Sequence, residues 1–167
     1  MAAQKFLALV SGKIKEVFAS ATSAANAIIA ADSSGKIDVS FLPTGVGAEV
    51  VVAPSSENLI AGDFVNLWLN GGVINVRKAD ATTNAKVAHG FVITGVTSPA
   101  NATVFFESNT NTAVTGLTIG SDYYLGTTAG TITTTPPSSA GNVVQFIGRA
   151  QTATAINFIN SEPIEVA

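Results

Sequence analysis

The chain reads as an all-β protein: a barrel or sandwich of short strands preceded by an extended N-terminal arm. Three observations predict this. From about Val50 onward the sequence breaks into short runs rich in Thr, Val and Ile, the residues that suit a half-buried pleated surface. Turn residues separate these runs at intervals of roughly 8–12 residues, the spacing of sandwiches and barrels. The first 47 residues differ, and from Ala21 to Gly47 they are rich in small residues with too few large apolar side chains to form a core of their own. The domain boundaries that follow are 1–47 for the arm and 48–167 for the body.

In chain order, "QKFLALVSGKIKEVFA" (Gln4 to Ala19) admits two readings. Phe6, Val10, Ile14, Val17, Phe18 and Ala21 fall near a helical spacing. Alternatively, "KFLALV" and "KIKEVFA" are strands joined at Ser11-Gly12. A mid-helix glycine costs about 1 kcal/mol whereas a turn welcomes it, so the hairpin is preferred. Next, "DSSGK" forms a turn between "AIIAA" and "IDVSFLP". There Phe41, Leu42 and Pro43 are the arm's candidate apolar anchor on a neighbouring protomer or another surface.

In the body, "DFVNLWLN" (Asp63 to Asn70) meets "NGG" and returns as "VINVRK" (Val73 to Lys78). This is a strong hairpin signal, because Asn and Gly tolerate positive φ. Further strands are expected at "KVAHGFVITGV" (Lys86 to Val96), "ATVFFE" (Ala102 to Glu107), "DYYLGT" (Asp122 to Thr127), "GTITTT" (Gly130 to Thr135), "VVQFIGRA" (Val143 to Ala150) and "TAINFIN" (Thr154 to Asn160). The stretch "YYLGTTAGTITTTPPSSAG" (Tyr123 to Gly141) carries no charge, and six of the nine residues from Thr127 to Thr135 are threonine. Tyr123, Tyr124, Leu125 and Ile132 give it more apolar content than a disordered linker has. It reads as strand, Gly-containing turn and strand, ended by a proline pair that cannot donate to a ladder.

Composition narrows the function. Charged residues make up 11% of the chain and hydrophobic ones 47%, with a mean hydropathy of +0.41; an ordinary soluble domain is about 25% charged. A membrane helix needs about 18 consecutive apolar residues, and runs such as Ala24 to Ala31 are short and broken by Asn26. Burial against copies of itself or a partner explains the composition better, since obligate interfaces resemble a core cut in half. Net charge is −3 and the pI near 4.9, so no nucleic-acid partner is expected, and no membrane either. With no cysteine, disulfides and thiolate metal sites are excluded. Phe6 to Val10 is too short for the apolar stretch of a signal peptide.

No motif carries enzyme chemistry. His89 is the only histidine, no G-x-S-x-G frames a serine nucleophile, and "VAHGFV" suits a packed or hydrogen-bonded strand residue. "DSSGKID" (Asp32 to Asp38) fails as a calcium loop, because Lys36 holds its fifth position and Pro43 its twelfth, where a bidentate Glu belongs. "SGKIK" lacks the upstream glycine and following Ser/Thr of a phosphate loop. Asn101-Ala102-Thr103 is a formal glycosylation sequon. Glu107 and Asp122 could pair as hydrolase carboxylates, but any chain with eleven acids offers such pairs. Trp68, Tyr123 and Tyr124 could stack on sugar rings, although strand aromatics more often serve a core or interface. No catalytic residue, metal or cofactor is expected.

Longer segments carry a resemblance. "GKIDVSFLPTGVG" (Gly35 to Gly47) resembles an "SxLPxGxG" arm found near the N-termini of bacteriophage virion proteins. "ENLIAGDFVNLW" with "VRKADATTNAKVAHGFV" (Glu57 to Val92), and "VFFES" through "NFINSEPI" (Val104 to Ile164), are similar to the rest of that family, the small head decoration (capsid cement) and fibre-like proteins. The resemblance lies in the order and texture of motifs, and transfers no functional residue. It implies a non-enzymatic β-rich protein, made in the cytoplasm of a bacterial host, that assembles with itself as a trimer on the capsid surface. There it would bridge and stabilise subunits of the major capsid protein. The alternative is a tail fibre or baseplate component that binds host-surface carbohydrate.

Overall fold

The computed structural model describes residues 5–10, 12–20, 28–33, 35–37, 41 and 47–167. The chain divides into two compact units, Met1–Gly47 and Ala48–Ala167.

In the first unit, β1 (Lys5–Val10) and β2 (Lys13–Ser20) pair antiparallel with Leu9 opposite Ile14. Of the two readings of this stretch, the chain adopts the hairpin. A short β3 (Ile28–Ile29) then adds in parallel to the end of β2. The "DSSGK" turn is closed from both sides: the Asp32 amide donates to the Lys36 carbonyl at 2.7 Å, and the Lys36 amide donates to Asp32 Oδ1 at 3.0 Å. Among the residues of this unit whose exposure is described, none is buried.

The second unit holds two five-stranded sheets. The first runs in the order β4 (Val50–Pro54), β8 (Asn101–Phe105), β7 (Gly90–Phe91), β5 (Phe64–Asn70), β6 (Val73–Lys78). The second runs β11 (Ile132–Thr133), β10 (Asp122–Leu125), β13 (Phe146–Thr152), β14 (Ala155–Asn157), β9 (Thr110–Asn111). A small pair, β12 (Val143–Val144) with β15 (Ile164–Glu165), completes the unit. All ladders in this unit are antiparallel. The first sheet curls until its ends meet at one bridge, Ser55 to Val76, where the Ser56 amide donates to the Val76 carbonyl at 2.8 Å. One bridge is not a ladder. Of barrel and sandwich, the body is therefore the all-β sandwich.

Side-chain alternation on the first sheet serves two cores. Val65 and Leu67 on β5, Val76 on β6, Val92, Ala102 and Val104, and Val51 and Ala53 on β4 fill the inside of the curl, with Leu59. Phe64 and Phe91 point the other way, into the space between the sheets, where they meet Tyr123, Leu125, Ile147, Ile156 and Phe158. Phe64, Phe91 and Phe158 form a triangle of tilted and edge-on rings 5.9–6.2 Å apart, and Phe105 stacks on Phe91 at 5.6 Å. Such pairs add about 0.5–1.5 kcal/mol each beyond area burial.

Both predicted hairpins form. Asn70 stands opposite Val73 across Gly71 and Gly72, whose φ of +59° and +86° give the two positive-φ residues of a tight hairpin turn. In the other, Tyr124 faces Thr133 and Leu125 faces Ile132, with the Gly126 amide donating to the Thr131 carbonyl at 2.9 Å.

The expected strand Lys86 to Val96 shrinks to Gly90–Phe91, because its backbone groups go to other partners. Asn84–Lys86 turns in a 3-10 helix. The Ala88 amide donates to Gln145 Oε1 at 2.8 Å, and Gln145 Nε2 donates back to the Ala88 carbonyl at 2.9 Å. Gln145 is fully buried, and it interrupts the expected strand Val143 to Ala150, so that β12 and β13 separate. The run Gly130 to Thr135 pairs only at two residues, since Thr133 Oγ1 accepts the Thr135 amide. In β13, Gly148 has φ +149°, and a Cβ there would collide with the Asn157 carbonyl oxygen.

Gln145→Leu leaves both polar groups of Ala88 unsatisfied in the interior. It should lower unfolding free energy by about 2–3 kcal/mol, read as a shifted urea midpoint at unchanged slope.

Candidate functional surfaces

Four cations belong to the body, Arg77, Lys78, Lys86 and Arg149, and each is engaged. Lys78 Nζ lies 3.4 Å from Asp63 Oδ2, which also accepts the Ile60 amide at 2.8 Å. Lys86 Nζ lies 3.0 Å from Asp80 Oδ2. Asp80 is buried, which alone would raise its pKa. Hydrogen bonds from the Thr82 hydroxyl, Lys86 and the Thr82 amide outweigh burial and hold it below the usual carboxylate value. Arg149 faces Asp122 across the β10–β13 pair with Nε at 2.8 Å and Nη2 at 3.3 Å from the two carboxylate oxygens. That pairing lowers the Asp122 pKa and raises that of Arg149.

Arg77 organises a polar seam along the β5–β6 hairpin. Its Nε donates to Asn66 Oδ1 at 2.9 Å, its Nη2 to the Ala85 carbonyl at 2.6 Å, and its guanidinium carbon lies 4.8 Å from the Trp68 ring centre. Asn66 in turn donates to the Val87 carbonyl at 2.8 Å. Trp68 Nε1 donates to Ser56 Oγ at 3.2 Å.

The residues singled out in the sequence therefore scatter. His89 sits at a half-buried bend, not in a strand. Its amide donates to the Val65 carbonyl at 2.8 Å, and its Nδ1 accepts the Leu67 amide at 3.1 Å, so the ring is neutral with its proton on Nε2. Burial lowers its pKa below 6.5, and the nearby Arg77 charge adds to the effect. Glu107 lies in an exposed turn after β8, while Asp122 is committed to Arg149. Tyr123 is buried, with its hydroxyl accepting the Thr118 amide at 2.8 Å. Tyr124 rests edge-on against Phe146. Trp68 is half-buried with Arg77 over its ring. Of the arm anchor, Phe41 is half-buried, and Leu42 and Pro43 lie outside the described residues. Among the described residues, no three His, Asp or Glu side chains gather as metal ligands would, and no helix is long and apolar enough to cross a membrane.

The sequence did not single out two groups of exposed apolar residues in the body. One is the tip of the β5–β6 hairpin, where Leu69, Val73 and Ile74 remain 64%, 55% and 47% exposed. Leu69 stands directly opposite Ile74. The other is the outer face of β4 and β8, where Val50 faces Phe105 and Val52 faces Thr103. Beside them Ile93, Thr94, Val96 and Asn101 complete a groove of about 300 Å³. None of these named residues is charged. The signal was present: Val73 and Ile74 are two adjacent apolar residues immediately after a turn, so alternation cannot bury both.

No protein-family model matches the chain, and no curated protein matches it. Among solved structures it is similar to the N base of the head fibre gp8.5 of bacteriophage phi29, with 17% identity and a TM-score of 0.43. That match covers 69% of this chain and 95% of the other.

The single histidine makes one pH dependence separable. Because its folded pKa lies below 6.5, the unfolded chain binds a proton more readily. Stability should be level above pH 6.5 and fall as the pH drops below it. His89→Asn, whose Oδ1 can accept the Leu67 amide, should flatten that part of the curve in chemical-denaturation titrations.

Proposed function

We propose that the chain is a non-enzymatic structural protein of a phage virion, a decoration (cement) protein that binds the outside of the head. There it would bridge neighbouring subunits of the major capsid protein. The observation that carries this reading is the placing of apolar surface in the body. Large aliphatic side chains stay exposed together, at a hairpin tip and along one sheet face, while the cations are paired or bonded within the body. Exposed aliphatic side chains grouped in this way suit contact with another protein. An occupied set of cations leaves little to attract the phosphates of nucleic acid.

The resemblance of the arm and body segments to virion proteins points the same way. Cementing needs no deep pocket and no strong single contact. Each copy contributes a few contacts, and many copies repeated over a shell multiply them. Exposed apolar patches around a two-core sandwich suit that work.

The purified protein should co-sediment with expanded, empty shells of the major capsid protein from the same virus. Binding should saturate at a fixed number of copies per shell and raise the temperature at which the shells rupture. Absence of binding, together with clear signals on a glycan array, would replace this reading with the carbohydrate-binding fibre or baseplate component.

A further inference from the structure

We propose that Asn70-Gly71, at the tip of the β5–β6 hairpin, is a site of spontaneous modification. There Asn70 loses its side-chain nitrogen as ammonia and becomes a mixture of aspartate and isoaspartate.

Chemistry singles out this pair. Asparagine is among the thermally labile residues, because the backbone nitrogen that follows it can attack its side-chain carbonyl through a five-membered ring. A side chain on the following residue shields that nitrogen, and glycine has none. Asn70 is the only asparagine of the chain followed by glycine; the others precede Ala, Leu, Val, Thr, Phe or Ser.

The fold leaves the reacting groups accessible. Asn70, Gly71 and Gly72 are all exposed, and beyond its chain neighbours no atom lies within 4 Å of where a Cβ on Gly71 would stand. Among the described residues, no hydrogen bond holds the Asn70 side chain or occupies the Gly71 amide. Other asparagines are restrained. Asn66 is held between Arg77 and the Val87 carbonyl, Asn75 donates to the Val73 carbonyl, and Asn111 donates to the Gly62 carbonyl. Asn70 also sits in the last pair of its ladder, opposite Val73. Such end pairs open readily, and opening lets the Asn70 backbone turn until Cγ meets the Gly71 nitrogen.

The step needs only water. The Gly71 nitrogen gives its proton to solvent and bonds to Asn70 Cγ, while the side-chain nitrogen takes a proton from solvent and departs as ammonia. Water then opens the cyclic imide. Breaking the new nitrogen–Cγ bond restores the ordinary main chain with an aspartate. Breaking the original peptide bond instead leaves the isoaspartate, whose main chain runs through the side-chain carbon. One water enters and one ammonia leaves, with no change of oxidation state.

The product alters the tip. A carboxylate replaces a neutral amide beside Val73, and the isoaspartate adds a main-chain atom that the Asn70–Val73 pair cannot absorb. The body's cations are engaged elsewhere, so the new charge has no counter-ion among them.

To test this, the folded full-length protein is held warm in mildly alkaline and in mildly acidic buffer, then cut with trypsin. The fragment Ile37 to Arg77 contains Asn70. It should gain the mass of one amide-to-acid exchange, located at Asn70 by fragmentation and present partly as isoaspartate. The gain should be faster in the alkaline buffer, since attack needs the deprotonated amide. Asn70→Gln, which would need a larger ring, should abolish it. An unchanged fragment from the folded protein, earlier conversion at another asparagine, or an equal gain in Asn70→Gln would overturn the assignment.

Discussion

The body depends on one strand serving two cores. β5 enters with Phe64 and Val65 side by side in sequence and on opposite faces, both fully buried. Phe64 belongs to the aromatic layer between the sheets and Val65 to the inside of the curled sheet. A slip of one residue would exchange the two faces, putting a phenyl ring where a valine fits and a valine among three phenylalanines. The register is held by the positive-φ pair Gly71-Gly72 at one end. At the other, Asp63 caps the Ile60 amide and pairs with Lys78.

That arrangement explains how a chain with so little charge still specifies one structure. Its few ionic groups lie where strands must be located: Asp63 with Lys78 beside the start of β5, Asp80 with Lys86 after β6, Asp122 with Arg149 across β10 and β13. Buried polar side chains do the same work without charge. Gln145 behaves as a strand segment, giving and accepting one bond with Ala88, and Asn111 donates to the Gly62 carbonyl at 3.0 Å. With the body's cations used for registry, none of the exposed aliphatic residues Leu69, Val73, Ile74, Val50 and Val52 has a cation beside it in the ladder. These residues are then available to a partner.

Much of this was legible in the sequence because local rules governed it. The Asn-Gly-Gly turn, the Gly-containing turn after Tyr123 and the glycine between the first two strands each announced a hairpin that forms. The all-β class followed from β-branched runs and turn spacing. What escaped depended on distant residues. Nothing near Ala88 reveals that a glutamine 57 positions later will take its backbone bonds and cut short the expected strand from Lys86. The two-residue strands β9 and β15 exist only because β14 and β12 lie beside them. Of the residues weighed for chemistry in the sequence, His89 accepts the Leu67 amide, Asp122 pairs with Arg149 and Tyr123 is buried, whereas the exposed patches are made of Leu, Ile and Val.

The proposed virion role is tested most directly by electron cryo-microscopy of the phage particles proposed to carry this protein. The account predicts sandwich-shaped bodies repeated over the outer surface of the head, in contact with the major capsid protein. Bodies found only on the tail, or none on the particle, would contradict it.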